Sequence, residues 1–180
     1  MTKALIIIDI QNDYFENGKM ELVGAEKASE NAKTILEIFR NKNLPIVHIQ
    51  HIATSETATF FLPNTEGAKI NNSVEPKKDE KLIIKHYPNS FRETELLDFL
   101  KSRQITDLII CGMMTHMCID TTTRAAYDLG FNSIVIGDAC ATKDLELYGE
   151  KVKAKEVQIS YLSALDGTFA KIQKTSEFNF

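Results

Sequence analysis

The chain has 180 residues, of which 43% are hydrophobic and 26% charged, with a formal net charge of −4. That length suits one well-packed domain spanning 1–180 and is short for two. Its dispersed basic residues, densest at Lys77-Lys78 and followed at once by Asp79 and Glu80, argue against a nucleic-acid partner, which needs a stripe of cations to neutralise several phosphates.

Taken in chain order, Met1-Thr2-Lys3 runs directly into an apolar strand pattern, Ala4–Asp9, with no signal peptide ahead of it. Helical spacing follows at Ala28, Ala32, Ile35 and Phe39, then a loop at Asn41–Leu44 and a second strand at Pro45–Gln50. Ile52–Lys81 is the one long irregular stretch. It carries Phe60, Phe61, Pro63, Gly67 and Pro76, and loops of that length usually bind or cover something. A third strand pattern occupies Leu82–Lys85, and Leu96, Leu97 and Leu100 mark a helix before a fourth strand at Leu108–Cys111. A helix-like stretch at Thr121–Leu129 stops at Gly130, and a fifth strand covers Ser133–Gly137. The last helix is expected over Ala154–Leu165, with a short edge strand around Thr168–Ile172.

Continuous apolar strands alternating with helices predict an α/β fold: a three-layer Rossmann-like sandwich whose mostly parallel, about six-stranded sheet is flanked by helices. No apolar run approaches the roughly 20 residues that cross a bilayer, so no membrane partner is expected. Three cysteines at irregular spacing make no disulfide framework. The expectation is a cytoplasmic protein with reduced thiols.

Ligands of such sheets bind beyond the carboxyl ends of the strands. Three chemically complementary groups fall there: Asp9 after the first run, Lys85 at the end of the third, and Cys118 after the fourth. Between a buried strand and the first turn of a helix, backbone N–H groups and the helix dipole favour a thiolate. Singly, each group has an ordinary alternative: a packed thiol, a turn-capping aspartate, a solvated lysine. The segment Asp9-Ile10-Gln11-Asn12-Asp13 offers no glycine-rich approach to a pyrophosphate, which argues against a dinucleotide module.

Five segments then resemble the isochorismatase-like cysteine hydrolase superfamily, in its order and over most of the chain. They are Leu5–Phe15, Gly67–Ile70, Ile84-Lys85 with Ser90-Phe91 downstream, Cys111–Thr115 with Cys118, and Asp138–Thr142. The resemblance implies a Rossmann-like sandwich, often assembled as homodimers or homotetramers, acting on a small-molecule substrate without a cofactor. It implies a catalytic triad with Cys118 as nucleophile, Asp9 as general base and Lys85 holding the charged pair. It further implies a cis peptide between Met113 and Met114 that turns the N–H groups of Met114 and Cys118 inward as an oxyanion hole. The reaction so implied is hydrolysis of a small amide, carbamoyl or ureide C–N bond through a thioacyl intermediate. The alternatives are ester or thioester hydrolysis by the same triad, and a non-catalytic binding or scaffold subunit.

The chain departs from nicotinamidases, which carry an Asp-x-His metal motif. Here the region reads His48-Ile49-Gln50-His51, and on a strand the two histidines point to opposite faces. No metal is therefore expected. Isochorismatase itself lacks the cysteine, so the family's title activity is not expected either. Secondary candidates for the substrate pocket are Tyr14, Phe60, Phe61 and Phe91 as aromatics, with Gln11, Thr115 and His116 as polar contacts. Cys111 and Cys140 read as packing residues.

Overall fold

The computed structural model describes residues 2–179, so Met1 of the opening run lies outside the described residues. The apolar runs form β1 (Thr2–Ile8), β2 (Ile46–His51), β3 (Lys81–Lys85), β4 (Ile105–Met113) and β5 (Asn132–Ala141). After a small hairpin, β6 (Leu145–Leu147) and β7 (Glu150–Val152), comes the edge strand β8 (Lys171–Gln173). The helices are α1 (Ala25–Asn41), α2 (Leu96–Ser102), α3 (Asp120–Asp128) and α4 (Ala154–Leu165). The six-stranded sheet has the order β3-β2-β1-β4-β5-β8, and every pairing in it is parallel. That is the α/β architecture the alternation predicts.

Period-two alternation sorts the strand residues into two cores. Leu5, Ile7, Ile109, Cys111 and Met113 pack with Ala28, Ala32, Ile35 and Phe39 of α1 on one face. Ala4, Ile6, Ile8, Leu108 and Ile110 pack with Leu96, Leu100 and Ala126 of α2 and α3 on the other, and Cys118 belongs to this second core. Since β1 is apolar at every buried position, neither face could be left open to water. No helix among the described residues is long and apolar enough to cross a membrane.

Two features depart from the sequence reading. Strands β4 and β5 outrun their apolar cores, and β5 shifts register before Gly112 pairs with Cys140. The hairpin was not expected, because Leu145–Val152 is largely polar and Tyr148-Gly149 is not a common turn pair. Both turn residues have positive φ, 53° and 80°, the backbone a two-residue hairpin needs to match strand twist. The long irregular stretch wraps the carboxyl end of β1. Asn12 and Asp13 N–H donate to the carbonyls of Lys69 and Gly67, and Gln11 bridges to Ile70.

Candidate active site

The site forms where β1, β3 and β4 end. Asp9 leaves β1 with a left-handed backbone (φ 52°) while its N–H donates to the Ile49 carbonyl at 3.0 Å. Lys85 is the last residue of β3, in direct register with His51 of β2. Cys118 sits in a π-helical turn, Thr115–Ile119, between β4 and α3. The peptide between Met113 and Met114 at the end of β4 is cis.

These ends bring the three predicted groups into contact. Lys85 Nζ lies 2.7 Å from Asp9 Oδ2 and donates to Cys118 Sγ at 3.2 Å. Asp9 and Lys85 are completely buried, and Cys118 is 5% exposed. Lys85 Nζ also reaches His51 Nδ1 at 3.2 Å and the carbonyls of Tyr87 at 3.0 Å and Pro88 at 3.4 Å. An ammonium has three protons, so these acceptors share it. Burial favours neutral lysine, but the charges of Asp9 and Cys118 more than offset that, leaving its proton affinity raised. The cation is thus built in.

The thiol behaves otherwise than its place before a helix suggests. Burial, reinforced by the Asp9 charge and opposed by Lys85, pushes its pKa well up. Burial thus opposes the pull of the helix terminus towards a thiolate, in keeping with a thiol whose proton Asp9 would have to take. Asp9 keeps the complementary capacity, because its Oδ1 accepts no hydrogen bond among the described residues. Tyr14, 2% exposed, has its phenol pushed well up by burial and by the charges of Cys118, Asp9 and Asp13. The hydroxyl therefore stays protonated beside the thiol.

The secondary candidates divide. Tyr14 meets Phe61 edge-on at 4.6 Å and Phe60 at 6.0 Å, forming one aromatic wall. A cavity of about 400 Å³ beside the triad is lined by His51, Phe60, Phe61, Ala58, His86 and Tyr87. Phe91 does not line it; its ring stacks on Phe131 at 6.0 Å, on the α2–α3 side. Gln11 has no spare capacity: its carboxamide donates to the carbonyls of His51 and Ala68 and accepts from His51 N–H. Thr115 donates to Ala141 and Gln158, and His116 pairs with Thr142 at 2.6 Å beside Tyr161. Gln11, Thr115 and His116 fasten the loops that carry the site. A larger cavity, about 660 Å³, lies between α1 and α4; no triad residue lines either cavity, but the smaller one meets the triad through His51, which contacts Lys85.

Sequence reasoning missed Asp13 and underrated His51. The Asp13 carboxylate accepts from Phe61 N–H at 2.7 Å and Lys19 N–H at 3.2 Å. A Cβ at Gly67 would fall 2.0 Å from that carboxylate, so only glycine fits there. Strand parity gives only the face on which His51 lies; its place beside Lys85 comes from the β2–β3 register, which no local signal in the sequence marks. Ligand atoms of Asp9, His51 and Cys118 lie within 4.8 Å of one another, a spacing open to a cation. Lys85 Nζ is 2.7–3.2 Å from the same three side chains. The ammonium already stands where such an ion would sit.

An isochorismatase-domain family model matches residues 3–158. Isochorismatase family protein YddQ of Bacillus subtilis is 47% identical over 178 residues, covering 99% of this chain and 99% of that protein. Nicotinamidase 3 of Arabidopsis thaliana is 25% identical over 175 residues, 91% of this chain and 85% of its own. A crystal structure from Oleispira antarctica, assigned to the isochorismatase hydrolases, superposes with a TM-score of 0.94 at 47% identity, covering 98% of this chain and 95% of the other.

Proposed function

The chain belongs to the isochorismatase family and is a hydrolase, and from that premise we propose that it cleaves a small amide, carbamoyl or ureide C–N bond through a thioacyl intermediate on Cys118. One observation carries this reading. A buried ammonium touches both a carboxylate and a thiol, at 2.7 and 3.2 Å, and beyond that ion pair neither carboxylate oxygen accepts a hydrogen bond among the described residues. That is an arrangement for moving one proton.

Asp9 accepts the proton of Cys118, and the sulfur attacks the carbonyl carbon as the C=O electron pair moves onto oxygen. Lys85 makes the transfer feasible, since it faces both the base and the developing thiolate. The oxyanion is received by the N–H groups of Met114 and Cys118, where one such donor is worth about 3 kcal/mol of barrier. Collapse expels the amine, which takes the proton from Asp9 and leaves a thioacyl enzyme. Water then attacks the thioester carbonyl, giving its proton to Asp9, and the acid product leaves as the thiol is restored. The neutral resting thiol matters here, because a small uncharged substrate can enter before any charge separates. The similarity to a nicotinamidase favours an amide as the scissile group.

Incubation with iodoacetamide at neutral pH should alkylate Cys118 well before Cys111 or Cys140, and Asp9→Asn should slow that labelling. Burial pushes the Cys111 thiol up and takes the Cys140 thiol to about 12, and neither has a base and an ammonium beside it. Intact mass of the wild-type protein after exposure to an amide panel should show an acyl adduct on Cys118. Equal, sluggish labelling of all three thiols would overturn the proposal, as would amide turnover surviving Cys118→Ala.

A further inference from the structure

His51 carries an inference that follows from which of its two nitrogens is already used. Its ring is two-thirds buried, and that burial lowers its pKa to about 4. It is therefore neutral at physiological pH and holds one ring proton. Nδ1 faces the Lys85 ammonium at 3.2 Å. An ammonium can only donate, so Nδ1 must accept, and the proton is confined to Nε2. Among the described residues Nε2 has no hydrogen-bond partner, and it is not one of the sealed, unsatisfied polar atoms. The ring lines the cavity beside the triad, with the Phe61 ring 5.9 Å away.

The neighbouring groups leave this edge to a ligand. His51 N–H is taken by Gln11 Oε1 at 2.7 Å and the His51 carbonyl by Gln11 Nε2 at 2.9 Å, so the backbone is fixed. His86, on the same cavity, uses Nδ1 on the Ile52 carbonyl at 2.7 Å and is solvent-exposed, so it is not held by the triad. Phe60, Phe61 and Ala58 supply apolar walls, while Thr54, Ser55 and Tyr87 add hydroxyls that, unlike the His51 ring, are not held by contact with the triad's Lys85.

We propose that His51 is the specificity-determining residue of this site: a fixed Nε2–H donor that reads a second acceptor oxygen on the substrate, beyond the scissile carbonyl. This rests on the hydrolase reading for its substrate, but not for its tautomer. The substrate class it selects is a small amide or ureide bearing another carbonyl-type oxygen within a few bonds of the reacting carbon. A purely apolar acyl group would leave the donor unpaired in a partly dry cavity, and sites built to hydrogen-bond a substrate group discriminate against analogues lacking it.

The test uses the Cys118→Ala protein, which separates binding from chemistry, with succinamide and pentanamide as probes of similar length. Succinamide should bind about fivefold or more tightly than pentanamide, the margin expected of one added hydrogen bond. His51→Leu in that background should abolish the preference. His51→Gln should retain much of it, since its carboxamide also offers an acceptor to Lys85 and a donor to the cavity. Side-chain ¹⁵N spectra should show His51 as the Nε2–H tautomer, without titration between pH 5 and 9. That measurement needs no His51 substitution to fold, because replacing His48, His86 and His116 one at a time assigns three of the four histidines and leaves His51 by elimination. Equal affinities for the two amides, absence of binding by either, a preference that survives His51→Leu, or an Nδ1–H tautomer would each overturn the inference. Hydrolysis of succinamide by the Cys118→Ala protein would overturn the thioacyl reading instead, leaving the binding preference to be judged separately.

Discussion

The molecule buries two clusters built from the same parts, a carboxylate, a strong cation and a histidine, and they end in opposite conditions. At the carboxyl ends of the strands stand Asp9, Lys85 and His51. Towards the amino end of β3, Glu80 accepts from Arg40 Nε at 2.6 Å and Nη2 at 2.9 Å, pairs with His48 Nε2 at 2.8 Å and accepts from Lys77 N–H at 2.9 Å. Both Glu80 oxygens accept hydrogen bonds, whereas neither Asp9 oxygen accepts one among the described residues beyond the Lys85 ion pair. Burial pushes Glu80 up, but Arg40, the Lys77 N–H and His48 prevail and bring its pKa to about 2. On the proposed reading, the difference teaches that a buried ion pair is left open to chemistry where its hydrogen-bonding capacity is unspent. One strand serves both clusters, because His48 and His51 lie on opposite faces of β2, towards α1 and towards α2 and α3 respectively.

The largest expected contrast is in turnover. Asp9→Asn and Cys118→Ala should each lower hydrolysis by about a thousandfold or more, as loss of a nucleophile or its base does. Glu80→Gln should leave it within about threefold, measured as kcat/KM on whichever amide the panel yields. A comparable loss from Glu80→Gln would break the distinction between the clusters.

Stability should run the other way. Removing one partner of a buried pair costs about 3–5 kcal/mol, whereas replacing a pair with apolar groups can be neutral or stabilising. Glu80→Ala should therefore lower unfolding stability by roughly 3 kcal/mol, leaving Arg40 and His48 without their shared acceptor. The double change Asp9→Asn with Lys85→Met should be close to neutral, since it removes both desolvated charges at once. Urea unfolding at neutral pH measures both, and a double variant as damaged as Glu80→Ala would show that the reactive pair also holds the fold.

The smallest effect is in acid. With the folded pKa of Glu80 below its ordinary value of 4.5, at about 2, its contribution is fully present above 4.5 and is lost as pH falls towards 2. His48 adds in the same direction, because burial lowers its pKa, so protonation below 6.5 disfavours the fold. The urea midpoint should fall between pH 5 and pH 3, and Glu80→Gln should flatten that fall. An unchanged slope in the variant would remove Glu80 from the account.

Much of the site was legible because it sits where apolar runs stop. Asp9, Lys85 and Cys118 each follow a run that reads as a strand, and the parallel order then brings those ends together. The strands' alternation was legible too, so His48 and His51 were placed on opposite faces. Their partners were not, because register between strands is a long-range fact: no local pattern sets His51 beside Lys85, or brings Glu80 to Arg40. Gln11, Thr115 and His116 stood near the right residues in sequence but point to Ala68, Gln158 and Thr142. Polar side chains in loops are aimed by distant backbone, and Phe91 was drawn away in the same manner by Phe131. The extent to which burial opposes a thiolate at Cys118 was not legible, because desolvation depends on everything packed around the sulfur.

Lys85 belongs to β3, the outermost strand of the sheet, five residues long and paired on one side only. The buried ammonium is therefore carried by an edge strand held by a single neighbour, while its carboxylate partner hangs from a central strand. Sheet margins open at lower free energy than centres. On the proposed mechanism, competence becomes a local property: fraying of this one edge would part Asp9 from its cation while the rest of the sheet stays folded.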